Sequence, residues 1–289
     1  MSTRSVALVV GSGSVKCAAA LGLYRRLQQE GIGVELLVGC SAGAIYATMI
    51  ALGLEVDAMI DLTRRLWTRD ITSRRDLRAV ARAVFPKLLG FTERWGLKDD
   101  RAIIERLRAA FGTRTFADTT VPLFLTATDF RTGEQVVLSR GELVPAIRAS
   151  IALPFAFEPC EIDGRLLTDG FLSDPLPVGV AIRERARVII AIGFESPYQR
   201  RIDSPGRFAF QLSSIMANNL LRAAFAFHGL AHHNEVIAVI PQFRERVRLF
   251  DTAKIPYVVE EGERAMDEQL PYLRRLLAAG EWPRTPAPA

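Results

Sequence analysis

The sequence predicts an α/β protein of three layers, in which a mostly parallel sheet is covered by helices on both faces. Short apolar runs rich in β-branched residues recur along the chain, as expected of strands buried on both faces of a sheet. Segments with helical periodicity alternate with these runs, which favours crossover connections between parallel strands. With 289 residues, 49% of them hydrophobic, the chain is long enough to bury a full core.

The first two strand–helix units stand at the start of the chain. Residues 5–10 and 34–38 are apolar runs, and both are predicted to be buried strands. The helix after the first strand is predicted over about residues 15–29. The helix after the second strand begins at Ala44 and stops at Gly53, and its side chains are apolar in nearly every direction.

Residues 55–89 are predicted to be helical and strongly basic. Between residues 61 and 87, eight Lys or Arg residues face three Asp residues, and the excess of +5 equals the net charge of the whole chain. Such a helix could lie on an anionic membrane, or it could pack on its own domain with a solvated charged face. Nucleic acid is not expected as a partner, because no binding motif accompanies the charge.

The second half of the chain continues the alternation. A hairpin across Asp163 and Gly164, a pair typical of tight turns, delivers Asp169 at the end of its second strand. The other predicted strands are residues 121–128, 134–138, 187–194 and 235–240, and the predicted helices are residues 98–111, 143–151, about 178–185, 208–230 and 258–279. We expect one domain over residues 1–280, with a basic helical cap at about 55–112, and a disordered Pro-rich tail at 281–289.

Residues 39–43, Gly-Cys-Ser-Ala-Gly, join the second strand to its helix. This is the G-x-S-x-G pattern in the strand–turn–helix context that a nucleophile elbow requires. Gly39 and Gly43 would let the chain turn where a Cβ has no room, and Ser41 would stand at the tip beside the positive end of the helix. The alternative is a glycine-bounded turn with an incidental serine.

A second glycine-containing loop, residues 11–16, follows the first strand. It is not a dinucleotide fingerprint, because Lys16 stands where G-x-G-x-x-G has its third glycine, and the phosphate-loop pattern is also absent. Exposed backbone N–H groups at a helix N-terminus suit any anion, including a developing oxyanion. The loop lies one crossover before Ser41, so both turns can end at the same edge of the sheet. A glycine turn without a ligand is the alternative.

Targeting and redox features predict a cytoplasmic protein, peripheral to the inner face of the membrane if the basic cap binds lipid. The N-terminus lacks a signal-peptide pattern, and no stretch reaches the roughly 20 apolar residues of a transmembrane helix. Cys17, Cys40 and Cys160 have no metal-ligand spacing, so we expect reduced thiols. We expect no cofactor and no metal. The oligomeric state is open, although the apolar helix at 208–230 could form a subunit contact.

Four blocks, in order along the chain, resemble the patatin-like phospholipases, a family of serine lipid acyl hydrolases. They are Gly11–Lys16; Gly39–Gly43; Ala127-Thr128-Asp129 with Thr132-Gly133 and Arg148-Ala149-Ser150 with Pro154; and Asp169-Gly170 with Asp174 and Leu176-Pro177. The resemblance runs from about Val6 to Leu276. It implies a patatin-like fold with a helical cap insertion, and an enzyme that cleaves acyl esters of lipids (phospholipase A, lysophospholipase or esterase type).

The resemblance also implies a Ser-Asp dyad, carried over as Ser41 for the nucleophile and Asp169 for the base. A serine hydroxyl is a poor nucleophile until a neighbouring base accepts its proton, and a carboxylate within hydrogen-bond reach can do so. The oxyanion hole is carried over as the backbone N–H groups of Ser12, Gly13 and Ser14, with Lys16 nearby where the family usually has arginine.

The chain departs from the family pattern at several positions. Ser12 and Ser14 stand at glycine positions, and a serine there can still donate its N–H unless its φ must be positive. Cys17 replaces the glycine that usually follows the cation. Phe171 stands where glycine or alanine is common and would narrow the acyl pocket, and Pro154 is a further expected substrate contact.

Two alternatives remain open at this point. A full triad would follow the chain order Ser, Asp, His, with His228, His232 or His233 as the third member, although these stand at the end of an apolar helix. A non-enzymatic binding or regulatory module that retains the fold is the second alternative, and the substituted glycine loop is its only support in the sequence.

Overall fold

An eight-stranded mixed sheet forms the middle layer of the protein. The computed structural model describes residues 4–67, 79, 81, 85–196, 198, 199, 201–231, 235–248 and 251–278. The strands are β1 (Arg4–Val10), β2 (Leu36–Cys40), β3 (Leu123–Asp129), β4 (Gln135–Leu138), β5 (Cys160–Ile162), β6 (Arg165–Asp169), β7 (Ala186–Ile192) and β8 (Glu235–Val239).

Helices connect most of these strands. In chain order they are α1 (Ala19–Gln29), α2 (Ala42–Ala51), α3 (Val56–Leu66), α4 (Pro86–Leu89), α5 (Arg101–Phe111), α6 (Leu143–Ser150), α7 (Val178–Arg183), α8 (Pro205–Ala231) and α9 (Ile255–Ala278). A 3-10 turn at Ser14–Ala18 precedes α1. No helix within the described ranges is both long enough and apolar enough to cross a bilayer.

The predicted fold class is confirmed. The strand order is β5-β6-β3-β2-β1-β7-β8, and β4 pairs with the other edge of β3. Strands β3, β2, β1, β7 and β8 are mutually parallel, whereas β4, β5 and β6 pair antiparallel. Every connection between successive parallel strands contains at least one helix, as crossover geometry requires.

The two faces of the sheet pack against different helices. On β1, Val6, Leu8 and Val10 join one core cluster, which includes side chains of α1, α2 and α9. Ala7 and Val9 point to the other face, where they pack with α7 and α8. This alternation follows from the two-residue period of a strand. Both faces are therefore buried, and this explains why the strands are continuous apolar runs.

The pairing of β3 decides where the strand ends meet. Ala127 and Thr128 each pair with both β4 and β6, so β4 and β6 lie on opposite edges of β3. Leu125 and Thr126 each pair with both β2 and β4, so β2 lies on the same edge as β6. Strand β6 therefore runs towards β2 along one edge of β3. The carboxyl ends of the two strands face each other.

Several predicted boundaries differ from the structure. Strand β2 starts two residues later than predicted and continues through Gly39 to Cys40. The helix predicted over about residues 15–29 begins as the 3-10 turn Ser14–Ala18 and becomes α-helical at Ala19. Helix α8 starts at Pro205. Of the predicted basic segment, residues 68–78, 80 and 82–84 lie outside the described residues, as does the predicted tail at 281–289.

Candidate active site

Ser41 stands at a strained turn between β2 and α2. Its φ is 54° and its ψ is −129°, a backbone conformation that L-residues with a Cβ rarely adopt. A strained residue of this kind costs about 1–3 kcal/mol and persists only where its surroundings fix it. Cys40 is fully buried, but Ser41 is half-buried, so the turn lifts the hydroxyl out of the core.

Gly39 and Gly43 leave room for this turn. A Cβ on Gly39 would lie 2.6 Å from the Cα of Ala44, and a Cβ on Gly43 would lie 2.3 Å from the carbonyl oxygen of Val10. Both contacts are with backbone atoms, which cannot move aside. The close approach that the sequence predicted for these glycines is therefore confirmed.

Asp169 lies beside Ser41 because β6 ends against β2. The Ser41 hydroxyl donates to Asp169 Oδ2 at 2.8 Å, across 128 positions of the chain. The other carboxylate oxygen, Oδ1, accepts from the Phe171 N–H at 3.1 Å. Both oxygens are thus engaged, and the carboxylate is held in one orientation towards the serine.

Burial dominates the electrostatics of this carboxylate. Asp169 is 1% exposed. Burial raises the pKa of its carboxyl from 3.8 to about 7, against the lowering effects of the hydrogen bonds from Phe171 and Ser41 and of the positive charge of Arg148. A carboxylate with this pKa is a far stronger base than an exposed aspartate.

The loop after β1 brings backbone N–H groups to the cleft beside Ser41, but not all three of the predicted oxyanion donors are available. The Ser12 N–H donates to the carbonyl oxygen of Pro175 at 2.9 Å, so its assignment to the oxyanion hole is wrong. The N–H groups of Gly13 and Ser14 have no hydrogen-bond partner among the described residues. Ser14 has a φ of 56°, which explains why glycine suits this position better.

Lys16 lines the cleft but is already engaged by the protein. Its Nζ donates to the carbonyl oxygen of Glu195 at 2.9 Å and lies 5.4 Å from the centroid of the Phe243 ring. Burial lowers the pKa of Lys16. An ammonium group has three N–H donors, so the carbonyl contact leaves others available in the cleft.

A mostly apolar cleft of about 360 Å³ opens above Ser41 and Asp169. Of the two expected substrate contacts, Phe171 lines the cleft and Pro154 does not, whereas Leu153 and Ala156 near Pro154 do. The other apolar lining residues are Ala42, Trp67, Ile103, Ile151, Phe157, Phe210 and Ala217. Pockets that bind small ligands share this character, with apolar walls and a few placed polar groups.

Sequence reasoning missed two contributors to the site. Helix α8 forms one wall through Phe210, Ser213, Ser214 and Ala217, and the pair of adjacent serines in this mainly apolar helix was the available signal. Ser150, which the sequence marked only as part of a family block, accepts the Ser41 N–H at 2.8 Å.

The remaining groups with catalytic chemistry are the Cys40 thiol and the three histidines. Burial raises the pKa of the Cys40 thiol well above its ordinary value, so a reactive thiolate beside Ser41 is disfavoured. The side chain of His228 and the whole of His232 and His233 lie outside the described residues. Among the described residues, no group of three or more His, Cys, Asp or Glu is arranged to hold a metal ion.

The part of the chain that contains Ser41, Asp169 and the glycine loop is similar to known proteins. Residues 8–182, which contain the glycine loop, the elbow and Asp169, match the family model described as Patatin-like phospholipase. An uncharacterized NTE family protein of Mycobacterium tuberculosis is 31% identical over 191 residues, which are 66% of this chain and 49% of that protein. Patatin-like phospholipase domain-containing protein 7 of Rattus norvegicus is 29% identical over 191 residues, 65% of this chain and 13% of that protein. The chain thus spans half or less of these relatives.

Two solved structures resemble the chain at low identity. VipD from Legionella pneumophila has a TM-score of 0.48 and 13% identity, covering 92% of this chain and 67% of that one. ExoU from Pseudomonas aeruginosa, in complex with SpcU, has a TM-score of 0.46 and 16% identity, covering 94% of this chain and 52% of that one.

Proposed function

This chain belongs to the patatin-like phospholipase family, and from that premise we propose that it cleaves acyl esters of lipids with Ser41 as nucleophile and Asp169 as base. The observation that carries the proposal is the 2.8 Å hydrogen bond from the Ser41 hydroxyl to Asp169 Oδ2 in a mostly apolar cleft. A nucleophile and a base at this distance, with free backbone donors nearby, are the parts that acyl transfer needs.

The first half-reaction acylates the serine. Ser41 Oγ forms a bond to the carbonyl carbon of the ester while its proton passes to Asp169 Oδ2. The electron pair of the C=O double bond moves to the carbonyl oxygen, and this oxyanion accepts hydrogen bonds from the N–H groups of Gly13 and Ser14. When the tetrahedral intermediate collapses, the bond to the alcohol oxygen breaks and Asp169 returns the proton to that oxygen. The alcohol leaves, and the acyl group stays on Ser41.

The second half-reaction repeats these steps with water. Asp169 accepts a proton from a water molecule as the water oxygen attacks the acyl carbon. The same two N–H groups stabilise the second oxyanion. Collapse breaks the bond to Ser41 Oγ, which regains its proton from Asp169, and the fatty acid leaves.

The raised pKa of Asp169 supports its role as the base. A carboxylate with an ordinary pKa near 3.8 would hold a proton too weakly to take it from a serine hydroxyl. With a pKa of about 7, Asp169 is still substantially ionised at neutral pH but binds the transferred proton more tightly. Proton transfer and availability of the free base are thus balanced near pH 7.

The cleft supports a substrate with an apolar acyl chain. Its walls are mainly aliphatic and aromatic, and transferring apolar surface into them contributes about 25 cal/mol per Å² buried. Its polar lining residues include Lys16 of the glycine loop, Glu195 and Ser196, and also Lys98, Ser213 and Ser214. The acyl chain would occupy the apolar part, and the alcohol or head group would face the polar part.

A lipid surface, rather than dispersed lipid alone, is the proposed partner. The inner face of α8 lines the cleft, while Phe208, Leu212 and Met216 on its outer face are 55%, 47% and 53% exposed. The helix carries Arg207 and Arg222 and no acidic residue. An exposed apolar face on a helix whose charged residues are arginines is typical of a segment that lies on anionic lipid. Here Arg207 and Arg222 also pair with the carboxylates of Asp203 and Glu195, which precede the helix.

Vesicle flotation tests this partner. Phosphatidylcholine vesicles with and without phosphatidylglycerol are mixed with wild-type protein and with the double variant Leu212→Glu, Met216→Glu. We expect the variant to lose most of its vesicle binding and to hydrolyse a soluble ester at the wild-type rate. Leu277→Glu, an exposed change on α9, which lends no residue to the cleft, is the matched control. Equal binding by the double variant and the control would refute the α8 surface.

A panel of lipid esters tests the proposed activity. Wild-type protein, Ser41→Ala and Asp169→Asn are assayed against a phospholipid, a lysophospholipid, a glyceride and a short-chain ester. We expect release of fatty acid by the wild type and loss of at least about a thousandfold in kcat for both variants. Substitution of each histidine in turn should leave the activity within about twofold. Loss of activity with a single histidine variant would instead indicate a triad.

A further inference from the structure

Ser150 places a buried hydroxyl directly behind the nucleophile. Its side chain is fully buried at the end of α6. The hydroxyl oxygen accepts the Ser41 N–H at 2.8 Å, and the hydroxyl itself donates to the carbonyl oxygen of Thr126 at 2.7 Å. Both hydrogen-bonding functions of this hydroxyl are therefore used, and one of them holds the backbone of the nucleophile.

The position of this hydroxyl follows from the register of the sheet. The Leu37 N–H donates to the carbonyl oxygen of Pro122 at 2.9 Å. In a parallel pair these hydrogen bonds recur every two residues along each strand. Counting the bond between Leu37 and Pro122 as the first, the third and last rung of this ladder would join the Ser41 N–H to the Thr126 carbonyl. Instead, the Ser150 hydroxyl lies between the Ser41 N–H and the Thr126 carbonyl and forms a hydrogen bond with each of them. It acts as a spacer where β2 leaves the ladder.

The strained backbone at Ser41 needs such a partner. The chain leaves the strand at this residue with a φ of 54°, and its N–H donates to the Ser150 hydroxyl instead of directly to β3. A buried N–H without an acceptor is strongly disfavoured. Ser150 supplies the acceptor at the displaced position, and it thereby favours the turn over continuation of the strand.

The same short segment also holds the base. The Asp169 N–H donates to the carbonyl oxygen of Ala152 at 3.0 Å, and the Thr168 hydroxyl donates to that oxygen at 2.8 Å. Residues 150–152 therefore contact the backbone of both Ser41 and Asp169. The distance between nucleophile and base depends on one connected piece of chain.

We propose that Ser150 is a positioning residue that sets the Ser41 hydroxyl at hydrogen-bond distance from Asp169 by bridging the last rung between β2 and β3. The inference rests on the proposed function, in which Ser41 is the nucleophile. Without the bridge, the Ser41 N–H bonds directly to the Thr126 carbonyl, the turn moves towards β3, and the hydroxyl moves away from the carboxylate. Ser150 touches no substrate, so its loss lowers kcat and leaves KM unchanged.

The kinetic test compares Ser150→Ala, Ser150→Thr and the control Thr63→Val. Thr63 is also fully buried, and its hydroxyl donates to a backbone carbonyl at 2.7 Å, but it lies in α3 and does not touch the dyad. We expect Ser150→Ala to react with a fluorophosphonate about 10- to 100-fold more slowly than wild type, since a misplacement of about 1 Å can cost that much. Thr63→Val should react within twofold of wild type despite a similar fall in melting temperature.

Two kinetic results would overturn the proposal. One is a Ser150→Ala variant that reacts within twofold of wild type. The other is a Ser150→Thr variant, which keeps the hydroxyl, that reacts no faster than Ser150→Ala. Each would show that the hydroxyl does not position the nucleophile.

Crystal structures of wild type and Ser150→Ala separate this inference from the proposed function. If wild-type protein does not react with the fluorophosphonate at all, the proposed function fails, and the structures still decide the role of Ser150. We expect the Ser41 N–H to approach the Thr126 carbonyl directly in the variant, with a longer distance from Ser41 Oγ to Asp169. An unchanged Ser41 backbone in the variant would overturn the inference.

Discussion

Replacing Asp169 with Asn should stabilise the folded protein at alkaline pH while it abolishes hydrolysis. The carboxyl is 1% exposed, and its pKa rises from 3.8 to about 7 because burial disfavours the charged form. Asn has nearly the same shape, and its side-chain carbonyl can still accept the Phe171 N–H. The substitution therefore removes the ionisation of a buried group and keeps most of the contacts.

The sign and size of the effect follow from the pKa shift. Below pH 3.8 the carboxyl is protonated in both states and contributes nothing. Between pH 3.8 and about 7 the unfolded chain releases a proton that the folded state retains, so the stability of wild type falls as pH rises. The full difference of about three pH units corresponds to about 4 kcal/mol, and more than half of it, about 2–3 kcal/mol, falls between pH 5 and pH 8.5.

Urea unfolding at pH 5 and pH 8.5 measures this difference. The quantity of interest is the stability of Asp169→Asn minus that of wild type, because all other titrating groups cancel in it. We expect it to grow by about 2–3 kcal/mol from pH 5 to pH 8.5. Asp61→Asn, a substitution on the surface of α3, is the control and should stay within about 0.5 kcal/mol of wild type at both pH values. A difference at Asp169 that does not change with pH would refute the reasoning about its burial.

Three further predictions concern the same site. Below pH 7, kcat/KM should fall about tenfold per pH unit, because only the ionised Asp169 accepts the serine proton, and a flat profile from pH 5 to 9 would contradict this role. Gly43→Ala places a Cβ 2.3 Å from the Val10 carbonyl oxygen and should lower the free energy of unfolding, measured by urea titration, by at least about 1–3 kcal/mol. Gly33→Ala is the control: a Cβ there would have no neighbour within 4 Å, so the free energy of unfolding should not change. Phe171→Ala enlarges the cleft and should raise the ratio of kcat/KM for long-chain over short-chain p-nitrophenyl esters; an unchanged ratio would exclude Phe171 from the acyl pocket.

Much of the fold could be predicted because its signals are local. The elbow at residues 39–43 is specified by two glycines around a serine, and each glycine occupies a place where a Cβ would touch backbone. The hairpin before Asp169 is specified by Asp163 and Gly164, which have φ values of 50° and 74°. Such features depend on the conformations of a few adjacent residues, which the sequence shows directly.

The remaining features depend on pairings between distant parts of the chain. No local pattern shows that the Ser12 N–H is taken by the Pro175 carbonyl, and the oxyanion loop was therefore predicted with one donor too many. Nor does one show that β6 lies on the same edge of β3 as β2, the arrangement that brings Ser41 and Asp169 together. Ser150 was visible as part of a family block, but its hydrogen bonds follow only from the sheet register.

The most direct test of the central claim is to trap the nucleophile. Folded wild-type protein is treated with a fluorophosphonate, and the modified residue is located by mass spectrometry. We predict a single adduct on Ser41, absent from Ser41→Ala and formed at least a hundredfold more slowly in Asp169→Asn. No adduct on the folded protein, or an adduct on a different residue, would contradict it.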